Sequence, residues 1–349
     1  MSRFTAGFVL LLFRNFIMCL YPKLIENPKY RVSKKNGGDV PLMKDKRVGM
    51  VPIGCRKCIE CRQKKGREWR VRLLEEIRHD NDGIFVTLTF SNESIKRLMW
   101  QIEKNDGVLG EGYDLDNSIA TKAVHYFLER WRDQHKPRKS VKHWLVTELG
   151  HEGTENIHLH GIVWSRDTEA IKRAWKYGFI YFGYSFNEQG INYFTKYFSK
   201  VDKEHKYYLP KVFCSSGIGS GYMDRFDSRR NLFNVVAGET DESYTDRAGI
   251  KQLIPIYYRN KLYNEEQREI LWCEKLDRLE RFVLGSRIDI SEGYEVYFRV
   301  LKDARSKNRR LGFGDDSVDW KQRDYENKLR KINVDKRIGN VDLSTGECL

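Results

Sequence analysis

His158-Leu159-His160 sits inside the run Asn156-Ile157-His158-Leu159-His160-Gly161-Ile162-Val163-Trp164, which is apolar and rich in β-forming residues. A strand sends alternate side chains to the same face, so both imidazoles point one way. Paired imidazoles on a rigid strand can hold a divalent metal. On a half-exposed strand they can equally be surface polar groups. A metal needs further ligands, and Glu148 ends an earlier β-prone stretch at about 142–148. The loop 149–156 is short enough for an antiparallel hairpin. Alternation puts Trp144, Val146 and Glu148 on one face, and in a suitable register that is the face of His158 and His160. Two imidazoles and one carboxylate with open positions suit Mg²⁺ or Mn²⁺ in catalysis, and would also accept Zn²⁺, Ni²⁺ or Co²⁺. The plainer alternative for Glu148 is an exposed carboxylate at a strand end. His151, on the loop, is a spare donor.

A second constellation is Tyr193-Phe194-Thr195-Lys196-Tyr197-Phe198-Ser199-Lys200. On a helix of about 189–201, Tyr193 and Tyr197 are one turn apart on one face, and Lys196 and Lys200 share a neighbouring stripe. By itself this is the pattern of an aromatic helix packing on a sheet. Beside a metal it acquires chemistry. A phenol oxygen can attack phosphorus and leave a covalent phosphotyrosine link. Its free pKa of about 10 means it needs help at neutral pH. A cation on the phosphate and nearby ammonium groups are suitable help.

The elements that must position these groups follow from periodicity. A basic amphipathic helix is expected over about 62–79, with Trp69, Leu73 and Ile77 at helical spacing. Residues 84–90 read as a strand. The stretch 91–117 looks irregular, with a short helix near 93–103. Asn117 or Ser118 is a candidate cap for a helix carrying Val124, Phe127, Leu128 and Trp131, which must end before Pro137. The strands 142–148 and 157–164 follow. A short helix capped by Asp167 then stops near Gly178, and a strand runs over 179–186. The order β–α–β–β–α–β, then α, is the split βαβ plan of ferredoxin-like and RRM-like antiparallel sheets. That is an α+β fold in which the strand of His158 and His160 lies beside Thr87 and Thr89. Nucleic acid can lie across the open face of such a sheet. Residues 21–54 read as an extended arm. Residues 260–284, 292–311 and 318–336 read as helices of a mostly helical C-terminal region. The resulting division is 1–54, 55–225 and 226–349.

The chain has 349 residues and a formal charge of +14, which favours a polyanionic partner, either nucleic acid or an acidic membrane surface. Arg56, Lys57, Arg62, Lys64, Lys65 and Arg67 form a candidate DNA-binding patch, with a merely solvated face as the alternative. Seven cysteines, an odd number, argue against a secreted disulfide framework. Cys55, Cys58 and Cys61 have the spacing C-x-x-C-x-x-C. With Cys19 they could make a structural Zn²⁺ site of four thiolates; free thiols in a reducing compartment are the alternative. The apolar run Phe8–Phe13 resembles a short signal-peptide core. Arg14 and Asn15 break it, and it is too short to span a bilayer. Met18 is an alternative start. The expectation is a cytoplasmic protein with no stable membrane insertion.

The strand Phe85-Val86-Thr87-Leu88-Thr89, the His158-Leu159-His160 pair and Tyr193-x-x-Lys196-Tyr197-x-x-Lys200 occur in this order. Together they resemble the three motifs of two-tyrosine HUH endonucleases that start rolling-circle replication. The wider chain is similar to the replication initiators of microviruses, especially the gokushovirus group, through Cys55-Arg56-Lys57-Cys58-Ile59-Glu60-Cys61, Arg67-Glu68-Trp69 and Gly217-Ile218-Gly219. The resemblance covers about 19–225 well and the C-terminal third weakly. It implies a metal held by Glu148, His158 and His160, with Tyr193 and Tyr197 as alternating nucleophiles and Lys196 and Lys200 near the phosphate. It gives Thr87 and Thr89 a structural or DNA-facing place. It implies a nickase and strand transferase acting on a viral origin or single-stranded DNA in the bacterial host cytoplasm. A host helicase and polymerase are expected partners, because no Walker-type phosphate loop is present. The alternatives are a plasmid-type initiator or relaxase, and a non-catalytic RRM-like nucleic-acid-binding module.

Overall fold

The computed structural model describes residues 19–107, 109–151, 155–185, 187–314 and 320–339; the Phe8–Phe13 run lies outside them. In chain order the elements are β1 (Lys23–Glu26), β2 (Met50–Ile53), α1 (Ile59–His79), β3 (Gly83–Leu88), α2 (Asn92–Asp106) and α3 (Gly112–Gln134). They continue as β4 (Lys142–Leu149), β5 (Ile157–Trp164), α4 (Thr168–Ala174), β6 (Ile180–Ser185), α5 (Glu188–Ser199) and β7 (Val212–Cys214). The last are β8 (Ser243–Thr245), β9 (Lys251–Leu253), α6 (Ile256–Leu262), α7 (Glu265–Asp277), β10 (Glu280–Val283), β11 (Ser286–Asp289), α8 (Glu295–Arg310) and α9 (Trp320–Ile338). Among the described residues, no helix is long and apolar enough to cross a membrane.

The described residues form two compact units. One takes the chain up to residue 71 together with 222–314; the other takes 72–221 together with 320–339. The second holds a five-stranded antiparallel sheet in the order β6-β3-β5-β4-β7. Its first four strands have the expected α+β plan, with β3 and β5 side by side at the centre. β7 is an unforeseen fifth strand, and Tyr208 and Lys211 just before it bond Thr147 of β4.

The two faces of this sheet are chemically distinct because its strands alternate. Val86, Leu88, Leu145, Leu149, Ile157, Leu159 and Val163 join Phe127, Trp131 and Trp175 in one apolar core under α2, α3 and α4. Trp144, Val146, Glu148, His158, His160 and Ile162 therefore share the opposite face. Gly161 lets the strands approach: a Cβ there would lie 2.0 Å from the Trp144 carbonyl oxygen. Gly161→Ala is expected to destabilise the sheet by roughly 3 kcal/mol or more, measured by urea unfolding.

Several boundaries differ from expectation. α2 runs over 92–106 because Ser91 caps it, its Oγ accepting from Ser94 N at 3.2 Å. α3 begins at Gly112, ahead of Asn117 and Ser118. Those two polar side chains are used inside the helix: Asn117 accepts from Tyr208 and Thr147, and Ser118 bonds back to the Asp114 carbonyl. Asp167 caps α4 as expected, accepting from Ala170 N at 2.8 Å, although the helix ends at Ala174, before Gly178. In the other unit, the expected arm contains the pair β1–β2, and the expected helix over 260–284 is broken at Arg278. There β10 and β11 form a hairpin, turned by Leu284 and Gly285 at φ 49° and 83°.

α9 returns to the sheet unit, burying Val334 and Ile338 in its core. Arg330 of α9, 3% exposed, grips both oxygens of Asp116 at 3.0 and 3.1 Å and Glu155 Oε2 at 2.9 Å. Removing the guanidinium would leave Asp116 buried and ionised. Arg330→Met should therefore cost about 3–5 kcal/mol, with hydrogen exchange showing early opening of α9 against α3.

Candidate active site

The β4–β5 register pairs Glu148 with His158 and Val146 with His160. That places the carboxylate beside both imidazoles. Glu148 Oε2 lies 3.3 Å from His158 Nε2 and 2.9 Å from His160 Nε2. One ligand atom from each residue falls within 4.8 Å of the others. All three side chains are half-buried, open enough to meet a substrate.

Each imidazole is also oriented from behind. His158 Nδ1 lies 3.3 Å from the Asn156 carbonyl oxygen. That oxygen can only accept, so it favours the tautomer with the proton on Nδ1 and leaves the Nε2 lone pair facing the cluster. His160 Nδ1 lies 3.0 Å from Thr87 Oγ1, its neighbour on β3, and the ring stacks on Phe85 at 6.1 Å. Burial would raise the Glu148 carboxyl, but hydrogen bonds from His158 and His160 outweigh it and hold it at about 2. Burial pushes His160 below the usual histidine range, with the neighbouring His158 acting in the same direction against Glu148. An ionised carboxylate and a neutral imidazole at pH 7 are the protonation states that metal ligation requires. Two imidazole nitrogens and a carboxylate oxygen, converging and held from outside, fit a divalent ion with open positions. Thr87→Val keeps the shape but removes the hydroxyl behind His160, and should weaken Mn²⁺ affinity about 10–100-fold by titration calorimetry.

His151 is not part of this cluster. It pairs with Glu204 at 3.0 Å and Asp202 at 3.4 Å, and Glu204 raises its pKa.

Tyr193, Lys196 and Tyr197 lie on α5, and Lys200 is its C-cap. Asn187 caps the other end through Gly190 N at 3.0 Å. The helix buries Ile191 and Phe198, and Phe198 meets Trp144 edge-to-face at 6.2 Å. Trp144 belongs to the sheet face of Glu148, His158 and His160, so the tyrosine helix packs on that face. Tyr193 is 55% exposed, and Lys196 and Lys200 are exposed. Position 197 follows one turn after Tyr193; its side chain lies outside those described.

The basic patch belongs to the other unit. Arg56, Lys64 and Lys65 are exposed, and Lys57 and Arg67 half-buried. Lys64 has Glu68 at 3.9 Å. Arg62 is buried with its guanidinium 5.8 Å from the Phe313 ring centroid, so it packs rather than presenting its charge. Cys19, Cys55, Cys58 and Cys61 also converge there.

Sequence reasoning missed the parts played by Asn156 and Phe85 and the bond from Thr87 to His160. Only the cross-strand register brings these residues to the histidines. Alternation along β3 was the one available signal, since Phe85 and Thr87 share a face.

Residues 83–202, which span the sheet strands β3 to β6 and α5, match the family model of the replication-associated protein ORF2. The chain is 28% identical over 206 residues to the replication-associated protein VP4 of Bdellovibrio phage phiMH2K, covering 52% of this chain and 60% of that protein. It is 26% identical over 326 residues to the replication-associated protein ORF2 of Spiroplasma virus 4, covering 83% of this chain and 94% of that protein. No solved structure matches.

Proposed function

We propose that this chain, whose residues 83–202 match the replication-associated protein ORF2 family, initiates phage DNA replication as an HUH endonuclease. It nicks single-stranded origin DNA and joins itself to the 5′ end. The observation that carries the reading is the sheet face shared by Glu148, His158 and His160, against which the helix of Tyr193 and Tyr197 packs through Phe198 and Trp144.

In this reading Glu148, His158 and His160 would hold Mg²⁺ or Mn²⁺, which when bound polarises the scissile phosphate. The phenol oxygen of Tyr193 or Tyr197 attacks phosphorus in line. An O–P bond to tyrosine forms and the P–O3′ bond breaks. The phenol proton goes to solvent, and the departing oxygen leaves as a free 3′-OH that can prime synthesis. Bonds are exchanged one for one, so the second tyrosine can cut the regenerated origin and religation needs no nucleotide. Lys196 and Lys200 offer positive charge to the phosphate. Thr87 and Asn156 hold the imidazoles in place. A host helicase and polymerase would supply the unwinding and synthesis.

The test is incubation with circular single-stranded DNA carrying the cognate origin, with Mn²⁺, Mg²⁺ or EDTA. Covalent protein–DNA adduct with either ion and none with EDTA is expected. Tight, salt-sensitive binding with no adduct under any ion would instead make the chain a binding module.

A further inference from the structure

We infer that Cys19, Cys55, Cys58 and Cys61 bind a structural Zn²⁺ that ties the N-terminal strand pair to the start of the basic helix α1. This site is separate from the Glu148 cluster and does not depend on the function proposed for it.

The four sulfurs come from two places in the chain. Cys19 precedes β1, Cys55 follows β2, and Cys58 and Cys61 flank the first turn of α1. Their Sγ atoms all lie within 4.8 Å of one another, and those of Cys19 and Cys58 are 3.9 Å apart. A tetrahedral zinc with Zn–S bonds of about 2.3 Å requires sulfur separations of about 3.8 Å. A disulfide would need about 2.05 Å, and all four cysteines are free thiols.

The surrounding backbone is shaped for thiolates rather than for thiols packed as apolar groups. Cys19 Sγ accepts from Cys55 N at 3.2 Å and Tyr21 N at 3.4 Å, and Cys55 Sγ accepts from Cys58 N at 3.3 Å. Such N–H bonds disperse sulfur charge. Arg56 adopts φ 65°, the left-handed turn that curls Cys55-Arg56-Lys57-Cys58 around one point. Gly54 is required close by: a Cβ there would sit 3.0 Å from Cys61 Sγ.

Two further contacts fix the frame. Arg305 of α8 donates twice to the Leu20 carbonyl, at 2.9 and 2.8 Å, and Asn308 Oδ1 accepts from Ile59 N at 2.9 Å. The sulfur-only donor set selects a thiophilic tetrahedral ion over Mg²⁺ or Mn²⁺. Four thiolates and a dication leave a charge of about −2, which Arg56 and Lys57 on the same turn are placed to balance.

The full chain, purified under reducing conditions without added metal, should carry about one zinc per chain by mass spectrometry. A thiol-blocking reagent should release it. Protein loaded with Co²⁺ instead should show thiolate-to-cobalt charge transfer and the intense red d–d bands of a tetrahedral site. Cys55→Ser with Cys58→Ser should lose the zinc and these bands, whereas Cys214→Ser, Cys273→Ser and the pair His158→Ala, His160→Ala should keep them. Should the cysteine double mutant not fold, the wild-type cobalt spectrum decides. Zinc retained in a folded cysteine double mutant, a cobalt spectrum without thiolate bands, iron in place of zinc, or a disulfide among the four would overturn the inference.

Discussion

Replacing both tyrosines, Tyr193→Phe with Tyr197→Phe, is expected to lower covalent attachment to single-stranded DNA on the order of 10³-fold or more. The substitution removes only the phenol oxygens, the atoms proposed to bond phosphorus. Tyr193 is largely exposed, so its hydroxyl contributes little to the fold. The double mutant should therefore unfold at the same denaturant concentration and bind DNA with the same salt dependence. Each single mutant should still form adduct through the other tyrosine but fail to complete a round, because one nucleophile is occupied when the second cut is due. Undiminished adduct in the folded double mutant would remove α5 from the chemistry.

The second large effect concerns the cluster on β4 and β5. His158→Ala with His160→Ala deletes two of three donors and should cut metal-dependent cleavage on the order of 10³-fold, the several kcal/mol that a phosphate-polarising cation supplies. Glu148→Gln keeps the shape but removes the charge and should weaken Mn²⁺ binding in the same direction. The pH dependence has a definite sign. Glu148 is held at about 2, so it stays ionised well into acid. His160 is held below its usual value, so it stays neutral lower than a free histidine would. Binding should be flat from about pH 8 to 7 and weaken below about pH 6.5 as imidazole protonation begins. Calorimetric Mn²⁺ titrations across that range check it. Affinity that rises on acidification would contradict the ligand assignment.

Much of the site could be read from alternation. His158 and His160 share a face because they are two residues apart, and a short hairpin leaves Glu148 little choice of partner strand. The one-turn spacing of Tyr193 and Tyr197 likewise needs only the helix that Asn187 caps. What escaped depends on pairing between distant segments. Thr87 reaches His160 across a register linking positions 73 residues apart. β7 pairs with Trp144, Leu145 and Val146 through three residues whose own pattern is too short to announce a strand. Trp272, Leu276, Leu279 and Val283 recur at helical spacing, yet the chain turns at Leu284-Gly285 and forms a hairpin. Both residues take positive φ there, as a two-residue hairpin turn requires, and Leu is an uninformative residue for it. The extended look of residues 21–54 hid β1 and β2, which pair across the loop between them. α9 was legible as a helix, but its return to the sheet unit rests on Arg330 finding Asp116 and Glu155.

The most direct test of the central claim is to locate the covalent bond itself. Wild-type protein would be incubated with circular single-stranded origin DNA and Mn²⁺ and digested with nuclease and protease, and the nucleotide-bearing peptide sequenced by mass spectrometry. The account predicts a 5′-phosphate ester on Tyr193 or Tyr197, and a matching free 3′-OH on the DNA. Nicked DNA with no attached peptide, or an adduct on any residue outside α5, would contradict it.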